Sequence, residues 1–108
     1  MNALTPLTYE ILVALADAPR HGYGIIKEIE ARAGTGPSTG ALYLALQRME
    51  ADGLIHEASE RPADSDDKRR RYWSITSRGR ELAVTESARL AALVDAAREK
   101  QLLAGEPA

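Results

Sequence analysis

The chain has 108 residues, of which 44% are hydrophobic and 28% charged, with a formal charge of −2 and a pI near 5.7. That composition is the composition of one ordinary globular domain. No cysteine is present and there are only two histidines, His21 and His56, so disulfides, thiolate metal sites and a helical histidine pair are excluded.

No run approaches the roughly 18 apolar residues of a membrane helix. The beginning MNALTPLTYE lacks the basic and apolar regions of a signal peptide, so a cytoplasmic protein is expected. No metal or cofactor is expected, and a protomer this small with a leftover apolar helix face is expected to find a second copy. The net acidity runs against nucleic-acid binding only as a sum. Arg69, Arg70, Arg71, Arg78 and Arg80 share a stretch without a carboxylate, which makes a basic edge on an acidic body.

Leu7, Ile11, Leu12, Leu15 and Ala16 recur at helical spacing after Pro6, predicting a first helix over about residues 5–17 that ends before Pro19. Ile25, Ile26 and Ile29 predict a second over 22–33, stopped by Gly34-Thr35-Gly36-Pro37. Gly22 and Gly24 in its first turn cost about 1 kcal/mol each relative to alanine, which points to a close approach or a tight turn.

A third helix is predicted over 39–52, with Leu42, Leu46 and Met49 turned inward and Thr39, Tyr43 and Gln47 on the other face. Leu54 to Ala58 and Tyr72 to Ile75 read as two short strands around a polar loop, Glu60 to Lys68, and together make a β-hairpin. Thr76 or Ser77 caps a long last helix running to about Leu103, with Leu82, Leu90, Leu93, Val94 and Ala97 as its apolar stripe. At about 28 residues and 1.5 Å each it would span on the order of 40 Å, more than one small domain covers.

The fold class is therefore α+β, mostly helical: a winged helix-turn-helix with a long C-terminal helix. Residues 1–76 form the winged region and 77–108 the last helix and tail, in one folding unit. A serine before a helix, a small polar first turn, a buried stripe and a glycine stop are the parts by which a helix presents one face to the DNA major groove. Without a cysteine nucleophile, a histidine pair or a glycine-rich phosphate loop, catalysis is not expected.

The order HGYGI, then PSTGALYLALQRMEADGLI, then RRRYWSITSRG resembles the PadR family of winged helix-turn-helix transcriptional regulators over about residues 7–82. The single helix after the wing is similar to the family's short-tailed branch. The resemblance implies a two-fold dimer built by the first and last helices, here Leu7, Ile11, Leu82, Leu90, Leu93, Val94 and Ala97. Two recognition helices would then stand about 34 Å apart on a palindromic operator.

This sequence departs from the family's pattern at Ala41-Leu42-Tyr43-Leu44, where Thr-Leu-Tyr-Pro is frequent, and in its acidic wing tip, Ala63-Asp64-Ser65-Asp66-Asp67. Three carboxylates there should stay off the phosphates. The last helix has no aromatic residue, so drug binding between aromatic rings at the dimer centre is not expected.

The candidate DNA-contacting residues are Tyr23, Ser38, Thr39, Gly40, Tyr43, Gln47, Arg48, Lys68, Arg69, Arg70 and Arg71. Ser38 is open both to capping and to phosphate contact, and Gly40 lets a backbone come close. Tyr43 can reach a phosphate or a thymine methyl and Gln47 a base edge, while each also reads as a plain helix-surface residue. Arg48 reads equally as a phosphate contact or a surface arginine. The wing cations alternate along a strand, so about half can face DNA, and Arg70 matches the family's wing arginine.

For His21, packing at the start of the second helix is the first reading. Tyr23 is open to phosphate contact and to core packing. His56 reads as a strand residue without chemistry, and Trp73 as core, with an effector pocket as the other reading. The function expected is a dimeric, sequence-specific repressor released by an effector of unknown identity, a small molecule being one candidate; the alternative is a winged-helix module that binds protein.

Overall fold

The structure, a computed structural model, describes residues 4–58 and 70–105. Lys68, Arg69 and the acidic wing tip lie outside the described residues.

Each helix begins with a side chain that takes up a backbone N–H the helix cannot satisfy internally. Thr5 caps α1 (Pro6–Leu15), its Oγ1 accepting from the Thr8 N–H at 3.1 Å, with Pro6 at the position where a missing N–H costs nothing. His21 ends β1 (Arg20–His21) and caps α2 (Gly22–Ala33), which Gly34 closes at φ +84°. Ser38 caps α3 (Thr39–Ala51), its Oγ accepting from the Ala41 N–H at 3.1 Å. Gly53, at φ +75°, turns the chain out of α3, and the Leu54 N–H donates back to the Met49 carbonyl at 2.9 Å. Then follow β2 (Ile55–Glu57), β3 (Tyr72–Ile75) and α4 (Ser77–Glu99), the last capped by Thr76.

The strands form an antiparallel sheet in the order β1-β3-β2, with Arg20 opposite Trp73, His21 opposite Tyr72, and Ile55 opposite Ile75. The sequence pattern predicted only β2 and β3. A two-residue strand carries no alternation to read, and β1 exists because β3 offers it an unsatisfied edge.

Ile11, Leu12 and Leu15 of α1, Ile25 of α2, Leu42, Leu46 and Met49 of α3, and Ile55 of β2 are the largest fully buried side chains. Burial of each such side chain is worth about 1.5–3 kcal/mol. Ile11 was expected at a dimer interface, but it is 0% exposed within its own protomer and has no surface to offer a second copy. Leu7 and Leu82 are only partly buried and pack against the same core.

α4 is fastened to α1 over its first half. Arg80 donates to the Ala16 carbonyl at 3.0 Å, and the hydroxyls of Tyr9 and Ser87 are 2.6 Å apart. At its start, Gly79 sits so close to the Leu54 carbonyl oxygen that no Cβ fits between them. The helix ends at Glu99, not near Leu103: Gln101 takes a left-handed φ of 62° and the Leu102 N–H donates to the Ala97 carbonyl at 2.8 Å. Its 23 residues span about 34 Å. Buried Gly79 and half-buried Ala83, Glu86 and Leu90 form the inner row of α4, with Glu86 and Leu90 beside α1, and the row continues as Leu93, Val94 and Ala97, where Leu93 is 59% and Val94 42% exposed.

Candidate nucleic-acid interface

The 3.6-residue period of α3 separates its side chains into two rows. Leu42, Leu46 and Met49 bury one row, which leaves Thr39, Tyr43 and Gln47 as an exposed row one turn apart. Gly40, at the start of that row, has no atom within 4 Å of where its Cβ would stand, so the helix start is open to a close-approaching surface.

Tyr43 is half exposed and lies over the start of α2. A Cβ on Gly22 would come within 2.8 Å of its ring carbon Cζ and 2.5 Å of its hydroxyl oxygen. Gly22 is therefore explained by close approach. Gly24 is not, since a Cβ there would make only ordinary contacts.

Next to Tyr43, a hollow of about 220 Å³ is lined, among the described residues, also by His21, Gly22, Tyr23, Arg70 and Arg71. The His21 Nδ1 accepts the Gly24 N–H at 3.0 Å, and its Nε2 is 2.9 Å from a terminal guanidinium nitrogen of Arg70. The His21 ring meets Tyr72 edge-on at 5.2 Å and stacks on Tyr23 at 6.4 Å. Tyr23 is exposed, with the Lys27 ammonium 5.1 Å from its ring centre; hydrogen bonding to the Tyr23 hydroxyl and to Glu30 holds the Lys27 pKa above its ordinary value. Lys27 escaped the sequence reading, although its place four residues after Tyr23 on a helix was the available signal.

The two described wing arginines, just ahead of β3, take different partners. Arg70 turns to His21. Arg71 donates to Glu57 at 3.0 Å and stacks 4.5 Å over the ring of Trp73. Trp73 is 3% exposed and part of the core, its indole N–H without a hydrogen-bond partner. Arg48 stands outside the Thr39–Tyr43–Gln47 row, in a groove with Leu44, Leu7, Thr8 and Asp52 between α3 and α1. His56 is exposed on β2.

Among the described residues no group of histidines and carboxylates could hold a metal ion, and no helix is long and apolar enough to cross a membrane.

A helix-turn-helix whose second helix shows an exposed row, flanked by a small antiparallel sheet with two arginines just before its middle strand, defines the winged helix-turn-helix class. Within that class, the family model of the transcriptional regulator PadR-like family matches residues 11–84, and the chain belongs to that family. A crystal structure of a PadR family transcription regulator from Clostridium difficile superposes with a TM-score of 0.78 at 24% identity, covering 90% of this chain and 99% of that one. A PadR family transcriptional regulator from Eggerthella lenta gives a TM-score of 0.67 at 25% identity, covering 93% of this chain and 83% of that one. An uncharacterised 37.1 kDa protein in a transposon of Streptomyces fradiae is 40% identical over 83 residues, which is 77% of this chain and 22% of that protein. The chain thus spans about a fifth of that relative's length. The matched family is one of transcriptional regulators, and the fold is that of its winged helix-turn-helix members.

Proposed function

We propose that the protein is a cytoplasmic, dimeric repressor that recognises a palindromic operator and is released by an effector that changes the spacing of its two recognition helices. The observation that carries this reading is the exposed row Thr39, Tyr43 and Gln47 on α3, set beside a hollow lined by Arg70 and Arg71. α3 enters the major groove with its N-terminus at Ser38, Thr39 and Gly40, and Tyr43 and Gln47 read the site. Tyr23, Arg70, Arg71 and, on the same wing, Lys68 and Arg69 approach the phosphates. Arg48 contributes from the flank of α3.

Dimerisation is supported by the continuation of the α4 stripe past its own body through Leu93, Val94 and Ala97. Beside it, a groove of about 570 Å³ between α1 and α4, walled by Pro6, Tyr9, Val13 and Leu90, leaves room for a partner's helix. The interface in this reading uses Leu90, Leu93, Val94 and Ala97, with Leu7 and Leu82 at its margin.

The test is selection of bound duplexes from a random pool at two salt concentrations, with an Arg69/Arg70/Arg71 triple-alanine variant in parallel. The expected result is a two-fold symmetric motif enriched by the parent and lost by the variant. Enrichment of nothing by the parent at either salt would overturn the reading.

A further inference from the structure

α3 carries a large aliphatic side chain that its own protomer leaves in the open. Leu44 is 49% exposed, whereas the leucines at 42 and 46 on the same helix are fully enclosed. At about 100° per residue, Gly40 and Leu44 fall within about 30° of the direction opposite the buried row Leu42, Leu46 and Met49, with Gln47 and Arg48 on either side. Tyr43 stands about 90° from that direction, over Gly22. The outermost part of α3 is therefore a glycine followed, one turn later, by a leucine.

The two positions act together. Residues four apart are neighbours on a helix surface, and a helical side chain lies over the turn before it. The place that a Cβ at Gly40 would take, apart from its chain neighbours and the helix backbone, has no atom within 4 Å. Next to Leu44 there is thus a notch floored by the Gly40 backbone, with room for a group of about one carbon. One flank of Leu44 joins the groove with α1, and the remainder faces outward.

The chemistry of the major groove selects what fits there. Its base edges present donors, acceptors and one apolar group, the C5 methyl of thymine. A leucine laid on a donor or acceptor takes it from water without replacing the hydrogen bond, but against a methyl both surfaces leave water favourably.

We propose that Leu44 is a specificity-determining residue: in the complex the C5 methyl of one thymine in each half-site sits in the notch at Gly40 against Leu44. This rests on the DNA-binding reading above and adds an apolar contact to the polar row Thr39, Tyr43 and Gln47. The contact involves no charge, so its contribution is independent of salt, unlike that of the wing arginines.

The test takes the duplex selected by the parent and replaces its thymines, one at a time, by deoxyuridine, which lacks only the methyl. At one position the parent should bind about fourfold more weakly, the effect of leaving one methyl unburied, and equally so at low and high salt. Leu44→Ala should bind the thymine and deoxyuridine duplexes within about twofold of each other, because the two changes remove the same contact. Leu44→Met keeps an apolar end and should keep the preference. Gly40→Ala puts a methyl into the notch, where nothing else stands, and should turn the preference towards deoxyuridine. Melting temperatures near the parent's show that each variant folds.

A selected motif without an invariant thymine, or a parent that binds thymine and deoxyuridine alike at every position, would overturn the role of Leu44 while leaving DNA binding intact. A preference that survives in L44A would give the methyl to another side chain, with Tyr43 adjacent, and overturn it as well. An L44A variant with the parent's affinity and preference but altered sedimentation would place Leu44 against a second copy of the chain instead. No duplex binding by the parent would overturn the DNA reading and this inference with it.

Discussion

Tyr43 of α3 rests on Gly22 of α2, with its hydroxyl where the first carbon of any side chain at position 22 would have to be. Glycine at position 22 leaves room for that ring over the start of α2, and the place of Tyr43 in the row with Thr39 and Gln47 depends on it. The tyrosine is half exposed and can swing aside, so Gly22→Ala should displace the ring with little effect on the fold. DNA affinity should fall about tenfold, a change of about 1.4 kcal/mol, with the thermal midpoint nearly unchanged. Parallel melting and duplex titration measure both; an unchanged affinity would remove Tyr43 from the interface.

Gly79 has no such relief, because its neighbour is the backbone carbonyl of Leu54 and not the end of a side chain. Gly79→Ala must push α4 away from the start of β2. Overpacking costs about 1–3 kcal/mol. That exceeds the gain of about 1 kcal/mol that alanine brings to a helix interior. The expected outcome is a lower urea midpoint with an unchanged slope.

Ser38 combines two roles that a pair of substitutions separates. Its Oγ caps α3, so Ser38→Ala should lower stability by about 1 kcal/mol. Ser38→Asp restores a capping oxygen and adds a charge favourable at a helix start, so stability should return to the parent's. The same carboxylate would face phosphate, and duplex binding should be lost. Recovery of both properties in S38D would show that Ser38 only caps.

The uncovered end of α4 predicts assembly. A glutamate at position 93 places a charge in the middle of the exposed stripe, and a buried unpaired carboxylate costs several kcal/mol. Leu93→Glu should sediment as a monomer at concentrations where the parent is a dimer. Its affinity for a palindromic site should drop towards that for one half-site. A parent that sediments as a monomer at all concentrations would refute the dimer.

Much of the local structure was legible in the sequence, although the end of α4 at Glu99 and the capping role of His21 were not. Ser38 and Thr76 mark helix starts, Gly34 and Gly53 the stops, and the 3.6-residue period separated Leu42, Leu46 and Met49 from Thr39, Tyr43 and Gln47, because caps and periodicity depend on residues within a few positions of one another. Where distant segments meet, only the tertiary structure decided. The strand Arg20–His21 needs β3 to exist, and Ile11 was indistinguishable from an interface residue until three helices closed over it. The glycines at 22 and 79 are explained by atoms of Tyr43 and Leu54, and the contact of His21 with Arg70 joins residues 49 positions apart. Sequence pattern records what each residue prefers locally, whereas which donor faces which acceptor across the fold is settled by packing alone.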